Sequence, residues 1–479
     1  MRPLWARPTA PDAAFALAAA AATVFASFMA VRAGAELSVG ALLGLAFFGA
    51  AIALFLSRPH IAVAFTVVVF ALIPALKVFV NPQIGALKDV LVVAAGLAAL
   101  LLYAFERERA PDRTIGLLVL MLLGLYLLNV RGEHDIAWLQ GLRLVSEPLI
   151  LLLAGLTLRD PRRTARWGLA ALVGACCFVA AYGLFQQAVG KYTLVAWGYS
   201  FESQVRSLEG GQFRSFGTLD DPFAYAALLC FGLAALAFWY RRGARVWVAG
   251  TLITVGLALS FVRTSALILV FFGGLLLRRW GLNASATLVV AASLLAGGVI
   301  LANASGSQSQ IYPVIAGDPT SGTGASTANV ILNGRVSAWR AAVGDNPVDW
   351  ALGRGVGEVG TAAARAEYTL EPSADAPEDS TLQAVDSGYL ATLADVGVIG
   401  LALLLLIFWR LLTLAWPAAL RGSSYAWVAL ALLAALLLDA LTRASFTGFP
   451  TAFLGLLLVG ICISAALEEE PPRPAATVG

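Results

Sequence analysis

The sequence predicts an all-α fold: a polytopic integral membrane helical bundle of about 14 transmembrane helices (12–14), with a large extracytoplasmic loop carrying short helices. Three observations predict it. Of 479 residues, 59% are hydrophobic and only 13% are charged, where a soluble chain carries about 25% charged residues. The mean hydropathy is +0.82. Apolar runs recur from end to end, and about 20 apolar residues cross a bilayer as one helix.

The candidate spans, in order, are 12–31, 38–56, 61–80, 88–105, 115–130, 142–157, 168–188, 222–240, 246–260, 263–277, 284–303, 388–409, 423–440 and 447–466. The first reads as a span rather than as a leader before a soluble domain. The least marked divisions fall at Ser260–Arg263 and Asp439–Phe446. The chain then divides into N-terminal spans (1–188), an outward loop (189–221), central spans (222–303), a large periplasmic loop (304–386), C-terminal spans (387–466) and a cytoplasmic tail (467–479).

Orientation follows from Lys and Arg near span ends. With the N-terminus in the cytoplasm, the arginine-rich connections "RDPRRTAR", "YRRGAR" and "LRRW" all face inward. An even number of spans puts both termini on that side.

The large loop opens on Gly-, Ser- and Thr-rich sequence and then carries signs of order. Asn333 caps a short helix ending near Gly344, on which Val336, Trp339 and Val343 share a face. That pattern predicts an amphipathic helix lying on the membrane or on the bundle. The next stretch, "ALGRGVGEVG", holds Gly355, Gly357 and Gly360 at G-x-G-x-x-G spacing. A dinucleotide loop must follow a strand and open a helix. No strand–helix alternation surrounds this one, so the glycines are expected to form a tight turn that lets backbone approach something closely.

Arginines on the outward side are disfavoured by the same charge rule, yet Arg131, Arg143, Arg206, Arg214, Arg263, Arg335, Arg340, Arg354, Arg365 and Arg443 all fall there. Arg263 sits between two apolar runs in "LALSFVRTSALILVFF". An ionised group near membrane depth is costly and normally faces a cavity or a partner. Guanidinium offers a rigid fork of donors matched to phosphate or carboxylate. The plainer expectation, snorkelling to headgroups or pairing with acids, is favoured for Arg206, Arg365 and Arg131.

Among the acids, Asp220 and Asp221 are adjacent, but Asp221 before Pro222 reads as a helix cap. Asp386, just before Ser387, either caps the following helix or accepts a proton in an outward site. Glu358 is the second candidate base. Cys176, Cys177, Cys230 and Cys462 lie in apolar runs, and His60 and His134 have no metal-ligand company. No metal and no cofactor is expected.

These stretches together resemble the O-antigen ligase and O-antigen polymerase-like membrane glycosyltransferases. The resemblance rests on "FRSFGTLDDPFAYAALL", "ALSFVRTSALILVFFGGLLLRR", "GRVSAWRAAVGDNPVDWALGRGVGEVG" and "DSGYLATLADVGVIGLALLLL", in that order between about Gly183 and Gly400. It implies a metal-independent enzyme of the bacterial inner membrane whose donor is a glycan carried on undecaprenyl diphosphate. Its implied partners are that lipid-linked glycan, membrane lipid and a polysaccharide chain-length regulator, with no nucleic acid. Arg214, Arg263 and Arg335 match the positions that handle the diphosphate, and Arg340 and Arg354 match more loosely. Ligases of this group carry a histidine where Asp386 stands. The "DSGYL" here therefore favours a polymerase, with ligase as the alternative and a lipid-linked glycan transporter as the rival from another class.

Overall fold

The computed structural model describes residues 35–105, 112–130, 135–201, 204–206, 213–239, 243–280, 346–357 and 387–469. Among them the structure is helical, and no strand forms. The helices are α1 (Ala35–Ser57), α2 (Pro59–Phe79), α3 (Ala86–Phe105), α4 (Arg113–Leu128), α5 (Asp135–Thr157), α6 (Pro161–Val189), α7 (Lys191–Ala196), α8 (Pro222–Phe238), α9 (Ala244–Ala258), α10 (Arg263–Arg279), α11 (Pro347–Leu352), α12 (Gly388–Leu420), α13 (Ser424–Asp439) and α14 (Thr451–Leu467). A 3-10 turn, Pro82–Gly85, precedes α3.

Each expected apolar segment within the described residues falls on one of these helices. Five stretches are long and apolar enough to cross a membrane: Pro59–Phe79, Pro82–Phe105, Trp138–Thr157, Pro161–Val189 and Gly388–Leu420. The remaining apolar helices are shorter, among them α8, α9, α13 and α14. The expected segments 12–31 and 284–303 and the amphipathic helix near Trp339 lie outside the described residues.

Helix starts follow local rules. Pro is at the first turn of α2, α6, α8 and α11, where its missing N–H costs nothing. Both faint divisions are real breaks. Phe261 takes a positive φ of 51° between α9 and α10, and residues 440–450 leave helix between α13 and α14.

Successive helices alternate between two ends of the bundle. At one end, called upper here, Lys77 of α2 approaches Asp220 before α8, Asp221 meets Arg443 after α13, and Gly388 at the start of α12 donates to the Ala440 and Arg443 carbonyls. At the lower end Arg410 of α12 binds Asp112 before α4, and Arg279 of α10 donates to Phe238 at the end of α8.

The centre belongs to α8, α13 and α14, which are buried along nearly their whole length. A helix apolar all round is one that other helices cover. Small residues allow the closest crossing. A Cβ on Gly155 of α5 would stand 2.5 Å from the Leu457 carbonyl oxygen of α14, and close backbone approach is how helices pack in lipid.

Candidate functional site

The upper end carries the site. It is built around the stretch 213–221, which two adjacent glutamines at the end of α6 hold in place. Gln186 donates to the Gly217 carbonyl at 2.8 Å and accepts from the Phe216 and Gly217 N–H groups. Gln187 donates to the Phe213 carbonyl at 2.9 Å and to Ser215 Oγ at 2.8 Å. Ser215 is tied further, by its N–H to the Leu259 carbonyl and by its hydroxyl to the Gly183 carbonyl, both at 3.0 Å. Arg214 therefore has both backbone neighbours fixed. Leu194, Tyr199, Val205, Phe213 and Phe216 form a small core of their own, which gives the connection between α6 and α8 a folded interior.

The guanidiniums of Arg206 and Arg214 stand over one ring, Phe223, at 5.4 and 5.6 Å from its centroid. Burial first, and then the like charges of Arg206 and Arg263, push the Arg214 guanidinium below its ordinary value. Arg263 is the first residue of α10 and is exposed. It thus stands at the helix start that the sequence places there, after the break at Phe261. Among the described residues neither Arg214 nor Arg263 has a carboxylate partner. Arg206, expected among the headgroup or acid-pairing arginines, stands beside Arg214 over the ring that both share.

On the other flank of the α8 start, Asp221 behaves as its sequence suggests. It accepts from the Ala224 N–H at 2.7 Å as N-cap, and Arg443 approaches the same carboxylate at 3.4 Å. Arg443 also reaches Asp439 at 3.4 Å, and Ser445 donates to Asp439 at 2.5 Å. The i,i+4 spacing of Asp439 and Arg443 in "DALTR" is the signal that reveals this pair from sequence.

Asp386, Glu358, Arg335 and Arg340, with Arg131 and Arg365, lie outside the described residues. The position next to Asp386 is described, however. Ser387 is the N-cap residue of α12 and makes no side-chain cap hydrogen bond. The Ser387 hydroxyl donates to the Ala440 carbonyl at 3.1 Å, and the Gly388 N–H to Arg443 at 2.8 Å. The chain entering α12 is thereby strapped to the segment whose Arg443 meets the α8 start.

The glycine stretch has a different job. Gly353, Gly355 and Gly357 take φ of 81°, 122° and 96°, values favoured by glycine. What precedes them is the short helix α11, not a strand. α11 packs into a kink of α12 at Gly397 (φ 66°, ψ −168°), where a Cβ would meet the Ala351 carbonyl. A Cβ on Gly353 would stand 2.5 Å from the Asp395–Val396 backbone. Asn129, after α4, donates to both the Leu352 and Asp395 carbonyls, at 2.8 and 2.5 Å. The close backbone approaches here are those of Gly353 and Gly397, each to another helix; Gly360 lies outside the described residues. Arg354 lies in this junction, its N–H donating to the Ala394 carbonyl at 2.8 Å.

Sequence reasoning also missed a paired group beside the site. Lys88 and Asp89 of α3 meet Arg143 and Glu147 of α5. The Glu147 carboxylate accepts from Lys88 and, at 2.9 Å, from Arg143 Nε. Lys88 Nζ lies 4.7 Å from the Phe453 centroid of α14. Arg143 is thus a neutralised charge and not a free outward arginine.

No protein-family model and no curated protein matches the chain.

Proposed function

We propose that the protein is a membrane glycosyltransferase that uses an undecaprenyl-diphosphate-linked oligosaccharide at the periplasmic face of a bacterial inner membrane, as a polysaccharide repeat-unit polymerase. In this reading the bundle has about 14 spans and both termini lie in the cytoplasm. The observation that carries the proposal is Arg214. Its backbone is clasped on both sides, it is crowded by two further arginines, and among the described residues no carboxylate offsets it. Like charges held together are costly unless an anion joins them.

The diphosphate of the donor is that anion. As the acceptor hydroxyl oxygen bonds to the anomeric carbon, the C–O bond to the diphosphate breaks and the leaving group takes the electron pair. Negative charge grows there, and donors already fixed in place stabilise it most in the transition state. Arg214 and Arg263, with Arg335 from the long loop, bind the phosphates; Arg340 and Arg354 support them. The proton of the acceptor hydroxyl passes to Asp386 or, in second place, to Glu358. The strap from Ser387 to residues 440–443 supports this order, because it ties the start of α12 to the segment whose Arg443 meets the α8 start.

The test is purified protein with its host's undecaprenyl-diphosphate oligosaccharide, no added metal, and products resolved by size. A ladder of lengthening lipid-linked glycans is the expected result. A single transfer that needs a second acceptor makes the enzyme a ligase. A native substrate left covalently unchanged overturns the enzyme reading in favour of transport.

A further inference from the structure

The lower end holds a second cationic feature, which the proposed reaction does not use. The ends of α10 and α12 and the start of α13 form a half-open cavity of about 400 Å³, lined by Arg278, Arg279, Ala419, Leu420, Gly422 and Trp427. Trp427 is buried and stacks on Phe238 with centroids 6.2 Å apart, so one wall is rigid and aromatic. Arg279 is fixed by donation to the Phe238 carbonyl and, at 3.1 Å, to Ser424 Oγ. Guanidinium has five N–H donors, so Arg279 retains donors beyond these two. Arg278 is exposed and has no carboxylate partner among the described residues.

The cavity is cationic with no acid of its own. No Asp or Glu occurs from Pro222 to Trp280 or from Val396 to Leu438, the segments that contain the helices lining it. Arg410, at the same end, is by contrast compensated by Asp112. The level of the cavity is marked by tryptophan. Trp247, Trp280 and Trp416 are exposed near the ends of α9, α10 and α12, and exposed tryptophan concentrates at headgroup depth. A cationic hollow among such tryptophans is chemically matched to phosphodiesters.

We propose that this cavity is a binding site for the phosphate of an anionic phospholipid headgroup, held by Arg278 and Arg279 against the Trp427 wall. The exposed rim at Leu420 continues from the headgroup toward the acyl chains. The site is independent of the glycosyltransferase reading, because it lies at the opposite end from the Arg214 cluster.

The experiment is native mass spectrometry of the full chain in detergent, titrated with phosphatidylglycerol or with phosphatidylcholine of the same acyl chains. The wild type is expected to retain phosphatidylglycerol preferentially. Arg278→Gln is expected to weaken that retention by about tenfold, the loss of one charge-assisted hydrogen bond, with phosphatidylcholine retention and thermal unfolding unchanged. Leu420→Glu, which sets a negative charge on the exposed rim, gives the same loss should Arg278→Gln unfold. Equal retention of the two lipids, or wild-type retention by both variants, overturns the proposal. So does displacement of phosphatidylglycerol by inorganic phosphate beyond that by chloride at equal ionic strength, which would make the ligand a soluble phosphate.

Discussion

Two groups of cations stand at the upper end of the bundle and are treated oppositely. Lys88 and Arg143 face Asp89 and Glu147, and the Lys88 and Glu147 side chains are only 11% and 8% exposed. Arg214 and Arg263 face other arginines and, among the described residues, no acid. A neutralised buried group works for the fold, because it ties α3 to α5 and sets both against α14. Like charges held together weaken the fold unless an anion joins them. The difference separates charges that hold helices together from charges that, in the proposed function, bind the diphosphate.

The largest effect is expected from breaking the neutralised group. Glu147→Leu removes the carboxylate that serves both Lys88 and Arg143 and leaves two cations with Asp89 alone. Breaking a buried pair by removing one partner costs about 3–5 kcal/mol. The variant is expected to unfold at a markedly lower temperature in detergent. Unfolding within a degree or two of the wild type would mean that water already solvates Lys88, and the contrast between the groups would collapse.

The opposite signature is expected from the other group. Arg214→Ala should lower the glycosyl-transfer rate by about 10²–10³-fold, as removal of one preorganised charge-stabilising donor does, while stability stays within about 0.5 kcal/mol. Arg263→Lys keeps the charge and loses the fork, so it should fall between Arg214→Ala and the wild type. Full activity in Arg263→Lys would rule out bidentate phosphate binding, and a large loss of stability in Arg214→Ala would make that arginine structural.

Why one group was legible and the other was not follows from how each is encoded. The outward arginines break a charge rule that single positions reveal, so Arg214 and Arg263 stood out. The Asp221–Pro222 start was equally plain, whereas the break before Arg263 was among the least marked. The Lys88–Glu147 contact joins residues 59 apart in sequence, and nothing local specifies it beyond the i,i+4 spacing of Arg143 and Glu147. The clasp by Gln186 and Gln187 has the same character: two glutamines at a helix end bear no mark of the backbone they will hold. The glycine stretch pointed to a close approach, but the kink at Gly397 lies 44 residues beyond Gly353 and has no signature except the glycine itself. Apolar periodicity does not rank helices by depth either, so the central position of α14 emerges only from packing.

The smallest effect should come from a third arrangement, the lower-end pair of Asp112 and Arg410, which is neutralised like the first group but open to solvent. The Arg410 side chain is 40% exposed. Burial pushes the Asp112 carboxyl upward, but hydrogen bonds from Arg410 and Thr114 outweigh it, and its value lies below the ordinary one. A carboxyl depressed in the folded state adds stability above its unfolded value of about 3.9, and that stability is lost as pH falls through the folded value. Asp112→Asn keeps a capping oxygen for the Thr114 N–H and removes only the charge. The wild type should therefore exceed the variant by about 0.5–1 kcal/mol at neutral pH. The margin should close in acid, below the folded value of Asp112. A margin of several kcal/mol, or one that persists in acid, would mean that exposure does not decide what these pairs contribute. The division between the upper groups would then need a cause other than whether each charge has found a partner.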